Sequence, residues 1–211
     1  MSILQLDHVS YRYKGMPTTV LSDVCADFEA GRIYAIEGSS GAGKSTLLSL
    51  LAGLDTPTEG EVRFDGKDIR EAGYFHHRRE QISLIFQSYN LIDYLTPLEN
   101  LRLVDSKAGA DTLTSLGLTP EEIRRNVMHL SGGQQQRVAI GRALVSRAPV
   151  ILADEPTGNL DEETADEVIT ILRDAAHEKG KCVLVVTHSK QVARSADVSL
   201  RLTKRKLVAS R

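Results

Sequence analysis

Gly38-Ser-Ser-Gly41-Ala-Gly43-Lys44-Ser-Thr46 decides the fold. It follows the short apolar run Arg32-Ile-Tyr-Ala-Ile-Glu37 and leads into Leu47, Leu48, Leu50 and Leu51, which recur on one helical face. A strand that passes through a glycine-rich turn into a helix is the setting a phosphate loop needs. Gly38, Gly41 and Gly43 let backbone N–H groups turn inward with no Cβ in the way, and the helix N-terminus adds partial positive charge. Ser39, Ser40 and Ala42 complete the cradle. In this arrangement Lys44 reaches the β- and γ-phosphates, Ser45 ligates Mg²⁺, and Thr46 hydrogen-bonds the α-phosphate.

Upstream of the loop, residues 3–13 and 20–37 alternate apolar and polar positions, interrupted by Lys14-Gly15-Met16-Pro17 and Ala30-Gly31. The pattern predicts antiparallel strands joined by turns. Downstream, the helix is expected over Lys44–Leu54, stopped by Gly53 and Pro57, with a strand at Glu61–Phe64 and a tight turn at Asp65-Gly66. Gln81–Phe86 reads as a buried strand. From Ser88 to Met128 the β pattern gives way to leucines at helical intervals, with Pro97 and Pro120 at helix starts. A long helix over about 133–147, a strand at Val150–Ala153, a helix near 163–178 and a strand at Cys182–Thr187 follow. A short helix and the strand pair Val198–Leu202 and Lys206–Ala209 complete the pattern. The alternation indicates an α/β fold: a mainly parallel sheet with an antiparallel β subdomain, and a helical insertion over about 88–148 in a single domain of 1–211.

Polar residues gather where the apolar strands end. Asp154 and Glu155 follow the run Val150–Ala153. An Asp there can hold Mg²⁺ bridging the terminal phosphates, and Glu155 is placed to polarise an attacking water. Gln87, at another strand end, can touch Mg²⁺ or that water and also begins the helical insertion. His188 follows Cys182–Thr187 and can donate to the γ-phosphate. Ser131-Gly132-Gly133 stands before a helix, with no bulky residue until Gln134. Exposed N–H groups and a hydroxyl at a positive helix end make a second anion site. One chain seldom needs two distant phosphate cradles, so the economical arrangement is a dimer in which this loop caps the γ-phosphate held by the other chain. His8, His76, His77, His129 and His177 read as structural, and His76-His77-Arg78-Arg79 as a solvated helix face.

Composition narrows the partners. The 211 residues are 41 % hydrophobic and 26 % charged, with a formal net charge of −2. That is ordinary globular chemistry, with no global basic field to draw the chain onto nucleic acid or anionic lipid. Two distant cysteines, Cys25 and Cys182, lack metal-ligand spacing and are expected to be reduced and mostly buried. Met1 leads straight into Ile3–Val9 with no basic, apolar leader. No apolar stretch approaches the roughly 18 residues of a membrane span. The expectation is a cytoplasmic chain that relies on another polypeptide for any membrane crossing.

Taken together these strings resemble the nucleotide-binding subunit of ATP-binding cassette (ABC) transporters over essentially the whole chain. Gly38–Thr46 matches the family's Walker A loop, Gln87 its Q-loop, Leu130–Gln134 its signature and Val150–Glu155 its Walker B strand. Asn159-Leu160-Asp161 matches the D-loop and His188 the switch histidine. The resemblance implies ATP and Mg²⁺ as ligands. It implies adenine stacked on Tyr13, with Tyr11 the alternative, and Ser131, Gly133 and Gln134 facing nucleotide held by a second copy. It also implies an integral membrane permease as partner, with the chain peripheral on the inner face of the membrane. Ala153–Asp161 resembles the subgroup serving lipoprotein release, macrolide and antimicrobial-peptide export, and the related cell-division ATPase. One departure is that the stretch from Gln87 to Leu130 is shorter than usual, which trims part of the surface that receives a permease's coupling helix.

The function implied is ATP hydrolysis that powers export or extraction through a separate permease by ATP-dependent dimerisation. The alternative is an ATP-gated regulatory module that signals to an envelope enzyme without moving solute. A soluble repair, clamping or translation ATPase would carry a coiled-coil or zinc insertion or a second cassette, and a degenerate scaffold would lack Glu155, Gln87 or His188.

Overall fold

The computed structural model describes residues 2–210. The chain runs through β1 (Ser2–Tyr11), β2 (Leu21–Glu29) and β3 (Ile33–Glu37) into α1 (Lys44–Leu51). Next come β4 (Glu59–Phe64), β5 (Lys67–Asp68), the short helices α2 (Ile69–Ala72) and α3 (Tyr74–His76), and a π-helical turn over His77–Gln81. β6 (Ile82–Ile85) precedes α4 (Pro97–Arg102), α5 (Asp111–Ser115), α6 (Pro120–Arg124) and the long α7 (Gly132–Val145). The rest alternates through β7 (Val150–Asp154), α8 (Glu162–His177), β8 (Cys182–Thr187), α9 (Lys190–Ser195), β9 (Val198–Thr203) and β10 (Lys206–Ala209).

Two sheets result. A six-stranded sheet in the order β10-β9-β3-β8-β7-β6 is parallel from β9 to β6, with β10 antiparallel at its edge. A four-stranded antiparallel sheet has the order β2-β1-β4-β5. The central strands are apolar at successive positions because both of their faces are covered. Tyr34 and Ile36, Val150 and Leu152, and Leu184 and Val186 face α1 and the antiparallel sheet, with Phe28, Leu47 and Leu51 in the same core. Ile33 and Ala35, Ile151 and Ala153, and Val183 and Val185 point the other way, onto Ile140, Val168, Leu172 and Val192.

α4 to α7 have a core of their own, built from Leu101, Leu113, Leu116, Ile123, Leu130 and Val138. Their starts are set by local chemistry. Thr96 with Glu99, Thr119 with Glu122 and Ser131 with Gln134 each form a reciprocal capping box. Pro97 and Pro120 occupy first helical positions, where the missing N–H costs nothing. α4, α5 and α6 are only six, five and five residues long, so packing rather than propensity holds them. Lys181 ties this helical unit to the sheet: its ammonium donates to Ser146 O at 2.9 Å and Ala148 O at 2.6 Å, just past the end of α7.

Three expectations need correction. Cys182 is buried, and burial pushes its thiol up to about 12, but Cys25 is exposed. An irregularity in β2 between the buried Leu21 and Val24, with Asp23 at φ 51°, sets the phase that puts Cys25 on the outer face. The segment 67–81 holds α2, α3 and the π-helical turn, where the sequence pattern offered helix only at the solvated face His76–Arg79. Within it His77 is fully buried. Its Nε2 lies 2.9 Å from Leu51 O, its Nδ1 lies 2.7 Å from Gln81 Oε1, and its ring meets Phe64 edge-on. Beside it Arg78 donates to Gly53 O at 2.5 Å. These side chains satisfy carbonyls at the C-terminal end of α1 that would otherwise lack partners. His77→Leu removes both ring hydrogen bonds and strands Leu51 O in the interior. Urea unfolding is expected to show a loss of about 1–3 kcal/mol with the m-value unchanged.

Candidate functional site

The parallel register brings four strand ends side by side. Glu37 pairs with Thr187, Asp154 with Val186 and Ile85 with Ala153. The chain leaving each strand, at Gly38, His188, Glu155 and Gln87, therefore emerges at one edge of the sheet. Tyr13, Ser40, Lys44, Ser45, Gln87 and Glu155 are among the residues lining a cleft of about 440 Å³ there.

The loop from Gly38 to Gly43 uses its three glycines in different ways. Gly43, at φ 99°, caps α1 in the left-handed region, and a Cβ on it would lie 2.8 Å from Val20 Cγ1. Gly38 has an ordinary backbone, but a Cβ there would lie 3.0 Å from Leu202 O. Gly41 lines the cleft with open space where a Cβ would stand. Its φ of 75°, which L side chains rarely adopt, by itself requires glycine.

The Lys44 ammonium turns back into the loop, donating to Gly38 O at 2.9 Å and Ser39 O at 3.4 Å, and lies 3.9 Å from Glu155 Oε1. Thr46 is buried, and its Oγ1 lies 2.7 Å from the Tyr13 hydroxyl. The two tyrosines part company here. Tyr11 is buried, its hydroxyl donates to Asp55, and burial, helped by Asp55, pushes its pKa up to about 12. Tyr13 stands edge-on to Tyr11 with ring centroids 5.0 Å apart, is 45 % exposed, and alone of the two lines the cleft.

Asp154 and Glu155 differ in surroundings. Burial pushes the Asp154 carboxyl above its ordinary range and the neighbouring Glu155 adds to this, while a hydrogen bond from Ser45 and the charge of Lys44 act the other way. Glu155 sits at φ 47°, its N–H donating to Val186 O at 2.9 Å. Its Oε1 lies 2.9 Å from His188 Nδ1 and its Oε2 accepts the His188 backbone N–H at 3.2 Å. This contact turns Nδ1 toward the carboxylate and Nε2 away from it. Gln87 comes close to Gly158, where a Cβ would lie 3.3 Å from Gln87 Nε2, and the Asn159 amide donates to Gln87 O at 3.5 Å.

Ser131, Gly133 and Gln134 are not brought to this cleft. Ser131 is exposed at the start of α7. Gln134 is engaged at both ends, Oε1 accepting from Ser131 N at 2.8 Å and Nε2 donating to Glu122 Oε1 at 2.6 Å. Gly133 has no room for a side chain, because a Cβ would lie 2.9 Å from Thr164 Cγ2.

Arg142 escaped the reading of the sequence. It donates to Asn90 O at 2.6 Å and Tyr89 O at 3.2 Å, and both of those residues hold positive φ. Burial draws its guanidinium down from the ordinary arginine value. The same arginine lines a groove of about 600 Å³ with Phe75, Arg78, Leu84, Leu103 and Val104. A charged residue on an otherwise buried stretch of α7 was the available signal. One side chain thus joins α7, the chain after Gln87 and this groove. Among the described residues no helix is long and apolar enough to cross a membrane.

Comparison with known proteins gives the same family from three directions. The sequence pattern of the ABC transporter family matches residues 21–158. The chain is 41 % identical to the uncharacterized ABC transporter ATP-binding protein YclH of Bacillus subtilis, over 97 % of this chain and 95 % of that protein. It is 39 % identical to the macrolide export ATP-binding/permease protein MacB of Bartonella henselae, over 99 % of this chain but only 34 % of that longer protein. Among solved structures, the dimeric MJ0796, described as a bacterial ABC transporter cassette, aligns with a TM-score of 0.86 at 36 % identity, covering 99 % of this chain and 97 % of that one. A second MJ0796 structure, described as a post-hydrolysis dimer bound to ADP and Pi, aligns equally well at 35 % identity. With its P-loop fold, mixed sheets and helical subdomain, the chain belongs to the ABC transporter family as an ATP-binding and ATP-hydrolysing cassette homologous to the MacB-like ATPases.

Proposed function

We propose that two copies of this chain close head to tail around two ATP molecules and that the closing and opening drive a separate membrane permease. The observation that carries this reading is the position of Ser131: it lies at an exposed, positively polarised helix start and does not line the cleft of its own chain. Placed against the cleft of a second copy, it adds a hydroxyl and helix N–H groups to the γ-phosphate. The dimeric MJ0796 cassettes support this arrangement.

Within one cleft, Tyr13 offers an exposed ring to adenine, and the N–H groups of Gly38–Thr46 with Lys44 hold the phosphates. The hydrogen-bonded Ser45 hydroxyl and Asp154 carboxylate fit Mg²⁺, which favours hard oxygen donors, and Gln87 stands near enough to join them. Ser45, Asp154 and Gln87 would hold the ion, which would supply positive charge to the terminal phosphates. Glu155 orients the water that attacks the γ-phosphorus as the bond to ADP breaks. His188, paired to Glu155 through Nδ1, fixes that carboxylate and presents its other face to the phosphate. Loss of phosphate removes the charge that held the two copies together, and the dimer opens.

The permease is proposed to seat in the groove that exposes Phe75, Leu103 and Val104. Arg142, which lines this groove and holds Tyr89 and Asn90, offers a direct route from the docking surface to Gln87 and α7. The curated MacB relatives support a permease partner, since they are ATP-binding/permease proteins of which this chain spans about a third. The same docking places the chain on the inner face of the membrane.

Glu155→Gln is expected to bind ATP, lose roughly 10²–10⁴-fold in turnover, and accumulate as a dimer on size exclusion with ATP; only monomer at high protein concentration would refute the sandwich. Ser131→Arg should leave ATP affinity of the monomer intact by calorimetry and abolish hydrolysis, so retained turnover would refute the shared site. For Asp154 the sign is fixed by its raised pKa. The folded chain binds its proton more tightly than the unfolded chain, so Asp154 costs stability as pH rises from the ordinary carboxylate range through the raised value. Asp154→Asn removes that cost. Without Mg²⁺ and nucleotide the variant should melt at the wild-type temperature or above it, while hydrolysis falls at least about tenfold.

A further inference from the structure

The outer face of the antiparallel sheet carries a cluster that the nucleotide site does not use. Between Leu6 and Val9, which both point into the core, β1 advances three residues while β2 advances two, from Ala26 to Val24. The bulge turns Asp7 and His8 outward together, opposite the single residue Cys25. His8 sits at φ 50° and Asp23 across from it at φ 51°. On the other side Gly60 leaves room for the bulge, since a Cβ there would lie 2.3 Å from His8 O.

One ligand atom from each of Asp7, His8 and Cys25 lies within 4.8 Å of the other two. The surrounding contacts orient them. Asp23 Oδ1 lies 2.7 Å from His8 Nδ1, the carboxylate–imidazole pairing that fixes a ligand histidine with Nε2 as the donor atom. His8 Nε2 lies 3.9 Å from Asp7 Oδ1. Arg63 engages only the other oxygen of Asp7, at 2.8 Å, and so leaves Oδ1 available. The His8 backbone N–H donates to Cys25 Sγ at 3.4 Å, which holds the sulfur beside the bulge. Arg63 and Lys206, the latter 3.8 Å from Asp23, balance part of the negative charge. Zinc bonds to nitrogen, oxygen and sulfur are about 2.0–2.3 Å long, so the three donors need to draw in by about an ångström or less around a central ion.

We propose that Asp7, His8 and Cys25 form a zinc site, with solvent as the fourth ligand and Asp23 as the positioning residue behind His8. A mixed S/N/O donor set suits a borderline-soft divalent ion rather than the hard Mg²⁺ of the nucleotide cleft. The ion joins β1 to β2 and makes a clasp across the bulge.

The test uses metal-stripped full-length protein without nucleotide or Mg²⁺. Cobalt(II) titration is expected to give a thiolate-to-cobalt charge-transfer band that saturates at about one equivalent and is bleached by zinc. Cys25→Ser should abolish the band. His8→Ala and Asp7→Asn should weaken zinc binding at least tenfold, and Asp23→Asn about tenfold. Zinc should raise the melting temperature of the wild type and leave that of Cys25→Ser unchanged. Metal-free melts of each variant separate loss of binding from loss of folding. The proposal is overturned by absence of the band in the wild type, by its survival in Cys25→Ser, or by zinc affinity indifferent to His8→Ala in a folded variant.

Discussion

Parallel alignment of β3, β8, β7 and β6 is the constraint from which the site follows. In a parallel sheet every strand delivers its exit loop to the same edge, and here four neighbouring strands deliver a phosphate loop, a histidine, an acidic pair and a glutamine. None of these groups is near another in sequence. What aligns them is the packing of both sheet faces: Val183 and Leu184, or Ile151 and Leu152, face opposite cores, and a slip of one residue would exchange the two sets between cores shaped for different side chains. The ladder register is therefore also the register of the polar groups that line the cleft. Glu155 can meet His188 because Asp154 is opposite Val186.

A second consequence concerns α7. Its start is held by its own chain, with Ser131 and Gln134 capping each other and Glu122 holding Gln134 from the side. That rigid mouth is exposed yet lies outside the cleft of the same chain, so the geometry favours a neighbour as its target. Arg142, farther along the same helix, grips the carbonyls of Tyr89 and Asn90. Movement of α7 against the sheet must then pull on the segment that begins at Gln87. Two hydrogen bonds from one guanidinium to neighbouring carbonyls hold the segment at two points.

The sequence made the frame legible because its signals were long or chemically distinctive. Doubly buried strands leave continuous apolar runs, and the Gly38–Thr46 turn has few other uses. Which demand each glycine of that turn meets was not legible: Gly41 answers to backbone angle and Gly38 to crowding, and a residue letter carries neither. What escaped altogether had no periodicity to read. α2, α3 and the π-helical turn are three to five residues each, below the length at which a helical face repeats. His77 lies in a polar His-His-Arg-Arg string, and only the nearby end of α1, brought in from 26 residues away, makes it a core residue. Cys25 was expected inside because cysteines usually are. The irregularity at Ser22-Asp23 shifted the phase of its strand, and no local rule announces a bulge that lacks glycine in its own strand.

The ammonium of Lys44 already rests on Gly38 O and Ser39 O. The loop is thus wound around its own cation and holds its curvature through that internal anchor. In the proposed nucleotide cleft, polyphosphate oxygens take over contacts that these carbonyls now make. A nucleoside without phosphates has nothing to offer in that trade, and it meets a lysine whose needs are met. Discrimination against uncharged look-alikes is in this sense built into the way the loop is wound, before any contact with the base is made.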